Sequence, residues 1–438
     1  MHLSKLFASN ILWRGMYLFT SMIVTVLMAR FLEAELTGNL LYNISMLTFV
    51  FMACSLSLDA ALIYFSASGK ITLARLFTIT VIWLLIALLI ALPVVYMLQF
   101  YKVVLITVDS FFMYAVLFIG GNLLITYFSS FFYARHQNHI PNLIFIGVNL
   151  LLIVYLLFSR GTSSVVLSRE VFIQLYFYSF LLQGLLCAVL FIVYNKKSVS
   201  FSMPPYVEWS EVWKYASKAF IANLLAFLLT RVDYWIIELL TKDNAALGNY
   251  IQASRLVQLF QMLPVILATT VFPAVSSGLR NGMIEVIQTL SRLLLVFYLL
   301  LIVLFACIGY WLFPLVFGAS FSDMYFVFLL LSPGLIATMV MALICSYLAA
   351  VNKIERNIWV SAAGLAFIIS VDFIVIPYAG INGAAIVCSA GYIISFAVSF
   401  YFLKKEAAIS AKDFIVLQKK DIGFLLSKLS FNNRNTGR

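Results

Sequence analysis

The sequence predicts an all-α integral membrane protein: about twelve transmembrane helices in two six-helix bundles, related by a pseudo-two-fold axis along the membrane normal. Three observations lead there. Of 438 residues, 64% are hydrophobic and 10% charged, with a mean hydropathy of +1.06. Apolar stretches near the roughly 20 residues that cross a ~30 Å hydrocarbon core recur between positions 8 and 403. The longest polar interruption, from Asn195 to about Lys214, falls near the midpoint and leaves six stretches on either side.

The spans are expected at about 8–31, 39–65, 76–100, 111–133, 140–159, 171–194, 215–240, 248–274, 290–316, 324–350, 357–376 and 381–403. The division that follows is a first bundle over 1–195, a cytoplasmic linker over 196–214, a second bundle over 215–403 and a basic tail over 404–438. The first helix follows no charged n-region or cleavage site, so it reads as a retained anchor. The linker carries Pro204 and Pro205 and charges of both signs, as a surface connection does. Its two flanks echo each other. Gly38-Asn39 opens the second helix of one half, and Gly248-Asn249 opens the second helix of the other, at an offset of 210 that also places Ser66 on Ser276. Six helices per half make this a parallel repeat, and transporters built from such repeats place their substrate at the repeat interface.

Location explains the formal charge of +11. With a cytoplasmic N-terminus, and residues at the span ends counted with the adjoining loop, twenty of the 28 Lys and Arg residues fall inside, five outside and three (Arg14, Arg231, Arg255) within spans. That bias satisfies the positive-inside rule in one orientation, with both termini cytoplasmic, so the basic balance reports topology and excludes nucleic acid as a partner. Cys54, Cys187, Cys307, Cys345 and Cys388 lie in apolar stretches without a C-x-x-C pair and read as core residues. In the tail, Ile415, Ile422, Leu425, Leu426 and Leu429 fall on one side with Lys412, Lys419, Lys420 and Lys428 flanking. That pattern fits a helix lying on the anionic leaflet or an irregular tail.

Chemistry must come from polar groups kept inside the membrane, where a central charge costs about 2.5–3.5 kcal/mol on insertion scales. These are Arg14, Asp59, Arg231, Asp233, Arg255 and, near a helix end, Asp372. Depth pairs Arg14 with Asp59, and Asp233 with Arg255 or Arg231, giving one charge cluster per bundle. Structural ion pairing is the other reading of Asp59 and Asp233. Three arginines against few carboxylates leave a cavity net positive, which suits a phosphate or pyrophosphate gripped by guanidinium. Arg231, Tyr234, Trp235 and Glu238 share one helical face if that helix is continuous. Aromatic rings beside guanidinium suit sugars and head groups, although Tyr234 and Trp235 also fit an interfacial belt.

Other signals carry less. His136-x-x-His139 has no third ligand, so no metal site is expected. Glu33-x-Glu35 lacks the outer catalytic domain that a glycosyltransferase needs, and Gly69-Lys70 lacks the upstream glycine of a phosphate-binding loop. Pro93, Pro264 and Pro273 are expected to kink their helices.

Taken in order, several pieces resemble one family. These are Ala29-Arg-Phe-Leu32 with Gly38 following, Arg231-Val-Asp233-Tyr-Trp-Ile-Ile237, Leu247-Gly-Asn-Tyr250, Ala253-Ser-Arg255-Leu256, Pro264, Phe272-Pro273, Val316-Phe-Gly318 and Ile376-Pro-Tyr-Ala-Gly380-Ile-Asn-Gly383-Ala-Ala385. The chain resembles the polysaccharide-export or O-antigen flippases (Wzx type) of the multidrug/oligosaccharidyl-lipid/polysaccharide exporter superfamily. Glu33 stands where that family usually has glycine. The resemblance implies alternating access by two six-helix bundles in the bacterial inner membrane. It implies a cargo of undecaprenyl-pyrophosphate-linked oligosaccharide moved from the cytoplasmic to the periplasmic leaflet, with Arg14, Arg231 and Arg255 lining the cavity.

No enzyme activity and no cofactor are expected. Coupling to H⁺ or Na⁺ and to the membrane potential is open, with Asp59, Asp233 and Asp372 as its candidates. Membrane lipids, and the polymerase and chain-length proteins of the same pathway, are the expected partners. The alternatives are a cation-coupled multidrug exporter of the same superfamily, whose cationic cargo asks for an acidic cavity, and a membrane glycan polymerase or glycosyltransferase.

Overall fold

In the computed structural model, the described residues are 2–101, 111–135, 137–158, 165–196, 198–276, 282–351, 353–407, 409–410, 412–418 and 421. The helices in order are α1 (His2–Ser55), α2 (Leu58–Ser68), α3 (Leu73–Phe100), α4 (Phe111–Ala134), α5 (His139–Phe158), α6 (Val165–Tyr194), α7 (Tyr206–Leu229), α8 (Val232–Thr241), α9 (Asn244–Ser276), α10 (Met283–Phe317), α11 (Met324–Ala350), α12 (Ile354–Lys404) and the short α13 (Lys412–Ile415). A 3₁₀ turn, Ala319–Phe321, precedes α11. Among the described residues ten helices are long and apolar enough to cross a membrane. Two of them hold two crossings each, because α1 has 54 residues and α12 has 51. At ~1.5 Å per residue each is more than twice the hydrocarbon thickness.

Both long helices change direction at one residue. In α12 the turn is Gly380, at φ 55° and ψ −143°. In α1 it is Glu33, at φ 65° and ψ 176°. Backbone of that kind is almost confined to glycine, so Glu33 holds a conformation its Cβ disfavours. Arg169 of α6 clamps the turn from both sides. Its Nη2 meets Glu33 Oε1 at 2.7 Å, and its Nε donates to Phe31 O at 2.9 Å.

Two expected spans are each interrupted. The 39–65 span breaks where Leu56 (φ 47°) and Ser57 (φ 52°) turn left-handed before α2. The 215–240 span breaks at Thr230-Arg231, between α7 and α8. Each new helix begins with an acid in its first turn, Asp59 in α2 and Asp233 in α8. Free N–H groups and the positive helix end favour a carboxylate there. The linker, expected to run as a surface connection to 214, is helical from Tyr206 onward.

The chain divides into two compact units. The first comprises 1–224, 243–248 and 315–321, and the second 225–242, 249–314 and 322–438. In the first, Phe128, Phe131 and Phe132 of α4 surround Phe191 of α6. Also in the first unit, the segments starting at Ala34 and Asn244 meet through bare backbone. A Cβ on Gly38 would fall 2.8 Å from Gly248 N and against Asn244 O. One on Gly248 would fall 2.9 Å from the Ala34 carbonyl carbon and against Ala34 O. The 34–38 segment therefore meets the 244–248 segment, its counterpart 210 positions on, in a reciprocal contact.

The second unit is centred on α11, with Phe260, Phe305, Phe313 and Phe328 packed ring against ring. Of the two readings of the tail, the irregular one holds over most of the described positions. Helix α13 is four residues long, Phe414 is buried against Phe400, and Asp421 is buried against Arg292. The Arg292 guanidinium grips both Asp421 oxygens at 2.6 and 2.7 Å and also bonds Asp413 O. Ile422, Leu425, Leu426, Leu429, Lys419, Lys420 and Lys428 lie outside the described residues.

Candidate functional site

The break before α8 organises the charged groups of the second unit. Arg231 is the residue at the break, with φ −144° and ψ −10°, so its side chain leaves from a helix start and not from mid-helix. The face expected for Arg231, Tyr234, Trp235 and Glu238 therefore begins after it. The Arg231 guanidinium stacks over Phe227, 5.3 Å from the ring centroid, and reaches Gln258 Oε1 at 3.5 Å. Tyr234 is fully enclosed, and its hydroxyl donates to Ser254 Oγ at 2.8 Å and accepts from Gln258 Nε2 at 3.2 Å. That hydroxyl lies within the fields of both Arg231 and Arg255. Trp235 is half-buried, 6.3 Å from the Phe227 ring. Tyr234 thus holds Gln258, which in turn accepts from Arg231, and Trp235 and Arg231 keep partial exposure.

Asp233 turns the other way, into the core. One carboxyl oxygen accepts from Tyr234 N at 3.1 Å, the other from the Tyr250 hydroxyl. The Cys388 thiol also bonds it, and Tyr392 bonds Cys388. The groups that hold Asp233 are thus a backbone N–H, a hydroxyl and a thiol, where an arginine was expected. The restart of α8 after the break explains the difference, since it aims the acid inward while Arg231 lies over Phe227. Asp372 of α12 completes this cluster. It is 0% exposed and within the field of Asp233, and neither of its oxygens has a hydrogen-bond partner among the described residues. Two buried carboxylates within each other's field repel, and uptake of a proton or a cation removes the repulsion. Tyr250, Cys388 and Tyr392 were not singled out as site residues by sequence, although Tyr250 belongs to the Leu247-Gly-Asn-Tyr run.

In the first unit the expected Arg14–Asp59 pair is likewise not made among the described residues. Arg14 is exposed on α1 and lies near Tyr17 and Tyr133. Asp59 is partly buried beside Tyr127, with its carboxyl on the N–H groups of its own helix start. Similar depth brought the two to one level without bringing them to one side. His139 is exposed at the start of α5, and His136 lies outside the described residues. Among the described residues no group of three or more His, Cys, Asp or Glu side chains is placed to hold a metal ion.

No family model and no curated protein matches the chain. Solved structures match nearly all of it. Lipid II flippase MurJ, in an inward closed conformation, superposes with a TM-score of 0.69 at 15% identity, over 93% of this chain and 89% of that one. The Vibrio cholerae MATE transporter VcmN, in its bent form, gives 0.62 at 14% identity, over 92% and 97%. A MOP superfamily transporter from Pyrococcus furiosus gives 0.63 at 12% identity, over 92% and 94%. At these identities the likeness speaks for the fold. The chain is a multi-pass, all-helical membrane protein with the fold of the MATE and MurJ transporters of the MOP superfamily.

Proposed function

We propose that this protein is a flippase that moves an undecaprenyl-pyrophosphate-linked oligosaccharide from the cytoplasmic to the periplasmic leaflet of a bacterial inner membrane. One observation carries the reading. Arg14 lies in a candidate membrane span and Arg231 at the break between α7 and α8, and among the described residues neither makes an ion pair. A membrane protein retains such a charge at a cost of a few kcal/mol, and an anionic ligand is what offsets it. The MurJ neighbour is a lipid II flippase, which supports a lipid-linked cargo. The sugar-pyrophosphate head enters a cationic cleft while the prenyl tail stays in lipid, and no covalent step is needed. An inside-negative potential favours outward movement of the head by ~2.3 kcal/mol per charge per 100 mV. Both termini face the cytoplasm in this reading, and the polymerase and chain-length proteins of the pathway are downstream partners.

The Asp233 and Asp372 pair is the place for coupling. The two Asp372 oxygens, without hydrogen-bond partners among the described residues, fit a proton or Na⁺, while the Tyr250 hydroxyl holds Asp233. The same pair favours a second reading, a cation-coupled exporter like the MATE neighbours. Pocket polarity separates the two: an anionic cargo needs the arginines, a cationic one the acids. The Pyrococcus furiosus structure is itself described by a reversed polarity of its binding pocket.

The test is to deplete the protein in its host and profile the undecaprenyl-linked lipids. Complete repeat units should accumulate on the cytoplasmic leaflet. Arg14→Ala and Arg255→Ala should fail to rescue export while inserting normally. Unchanged lipids together with sensitivity to cationic dyes would overturn the flippase reading in favour of the exporter.

A further inference from the structure

The first three turns of α7 carry a cavity that the charged sites above do not use. Tyr206, Trp209, Ser210, Trp213, Lys214 and Ser217 line a space of about 440 Å³, within the range of small-molecule sites. Their spacing of three and four puts them on one face of the helix. The floor is held from behind within the first unit. Trp213 lies 4.2 Å from the Trp83 ring and stacks on Trp209, Arg75 bridges Glu208 at 2.5 Å, and Tyr215 stacks on Tyr64 at 4.8 Å. Asn223 further along α7 donates to Ser57 Oγ at 3.1 Å. The platform is therefore fixed before any ligand arrives.

Its chemistry is one-sided. Two tryptophans, a tyrosine, two serines and a lysine line the space, offering indole N–H, hydroxyl and ammonium donors, and no acidic residue lines it. Trp83 donates its indole N–H to Cys54 O at 3.1 Å. Among the described residues the indole N–H groups of Trp209 and Trp213 have no protein acceptor, and Lys214 makes no ion pair. Donors without acceptors, beside flat apolar rings, suit an anion joined to a hydrocarbon. The cavity also sits where α7 passes from the polar linker to the apolar run beginning at Ala219, the level at which lipid phosphates lie.

We infer that this face of α7 binds the phosphate group of an interfacial lipid, with Lys214 and the two indole N–H groups on the phosphate oxygens and the ring faces against the chain. The phosphate has two sources, the pyrophosphate of a prenyl-linked cargo waiting on the cytoplasmic side or an anionic phospholipid. The site rests on its own donors and stands apart from which cargo is moved.

The experiment uses the purified full-length protein in phosphatidylcholine nanodiscs, with native mass spectrometry counting retained lipid. Undecaprenyl pyrophosphate, phosphatidylglycerol and undecaprenol are added in separate arms. Wild type should retain at least one of the two anionic lipids and not undecaprenol. Retention of the pyrophosphate alone assigns a cargo-docking site, and retention of phosphatidylglycerol assigns a phospholipid site. Lys214→Gln should weaken the retained lipid by roughly tenfold, the loss of one charge-assisted hydrogen bond. Trp209→Phe with Trp213→Phe should weaken it further at unchanged thermal stability. Equal retention by wild type and Lys214→Gln, or no anionic lipid retained by wild type, overturns the inference. Binding is read without flipping, so failure here leaves the flippase reading standing, and failure of flipping leaves the site standing.

Discussion

Replacing Glu33 by glycine should stabilise the protein relative to replacing it by alanine, and the structure sets the size of the difference. Both substitutions remove the ion pair to Arg169, in which the Glu33 side chain is 63% exposed, so each loses at most about 1 kcal/mol. Both leave the Arg169 bond to Phe31 O in place. They differ at the backbone, where φ 65° and ψ 176° cost any side chain about 1–3 kcal/mol. Glycine gives back about 0.4–1 kcal/mol through its freer unfolded chain. The net advantage of glycine over alanine is about 1 kcal/mol, a factor of roughly five to ten in the folded population. The assay is equilibrium unfolding in mixed micelles, titrated with a denaturing detergent and followed by tryptophan emission. Glu33→Gln calibrates the ion pair alone and should fall below wild type by a few tenths of a kcal/mol. If alanine matches or exceeds glycine, Glu33 is not strained and the turn has some other cause.

Three further outcomes follow from the geometry. Gly248→Ala and Gly38→Ala should each destabilise by about 1–3 kcal/mol, since the new Cβ meets backbone that cannot rotate away. The double variant should cost less than the sum, because both methyls push the same two segments apart; additive losses in the same unfolding assay would refute the reciprocal contact. Asp421→Asn should free residues 409–421 to protease and cost about 3–5 kcal/mol by leaving Arg292 buried without its partner. Bonds from Arg292 hold the Asp421 carboxyl down to about 2, from an ordinary value of 3.8. A depressed carboxyl stabilises above its unfolded value, so wild type should lose this contribution as pH falls from about 4 towards 2, while Asp421→Asn shows no such step. Asp372→Asn should abolish the dependence of transport on a proton or sodium gradient while leaving cargo binding intact; an unaltered gradient dependence would remove the pair from coupling.

The crossings were legible in the sequence because twenty apolar residues have few other uses, whereas the Gly-Asn echo at 210 read only as a repeat and gave no hint that Gly38 and Gly248 meet. The helix breaks were hidden, since neither Leu56-Ser57 nor Thr230-Arg231 contains the proline or glycine that usually marks one. Thr230-Arg-Val-Asp233 does match the spacing of a helix-start box, which a reading fixed on continuous spans passes over. Depth followed from position along a span, but which way a side chain points depends on where its helix restarts. That is why Asp233 met Tyr250 instead of an arginine. The tail, left open between a surface helix and an irregular segment, hid its anchor for a different reason: Asp421 is one acid among lysines, and only folding brings the guanidinium of Arg292 over it. The aromatic cavity was overlooked because Trp209 and Trp213, four residues apart, stood in a stretch expected to be linker.

The contact between the 34–38 and 244–248 segments has a consequence for descent. It is made from repeat-equivalent positions, each touching the other's counterpart, and at its two glycines it is backbone against backbone. Two copies of a half-length polypeptide bearing one such site would form the same junction about a true dyad. A tandem duplication of an ancestral homodimer would inherit it intact, and later drift could alter any neighbour but not these small residues, since a methyl group added on one side displaces its own duplicate.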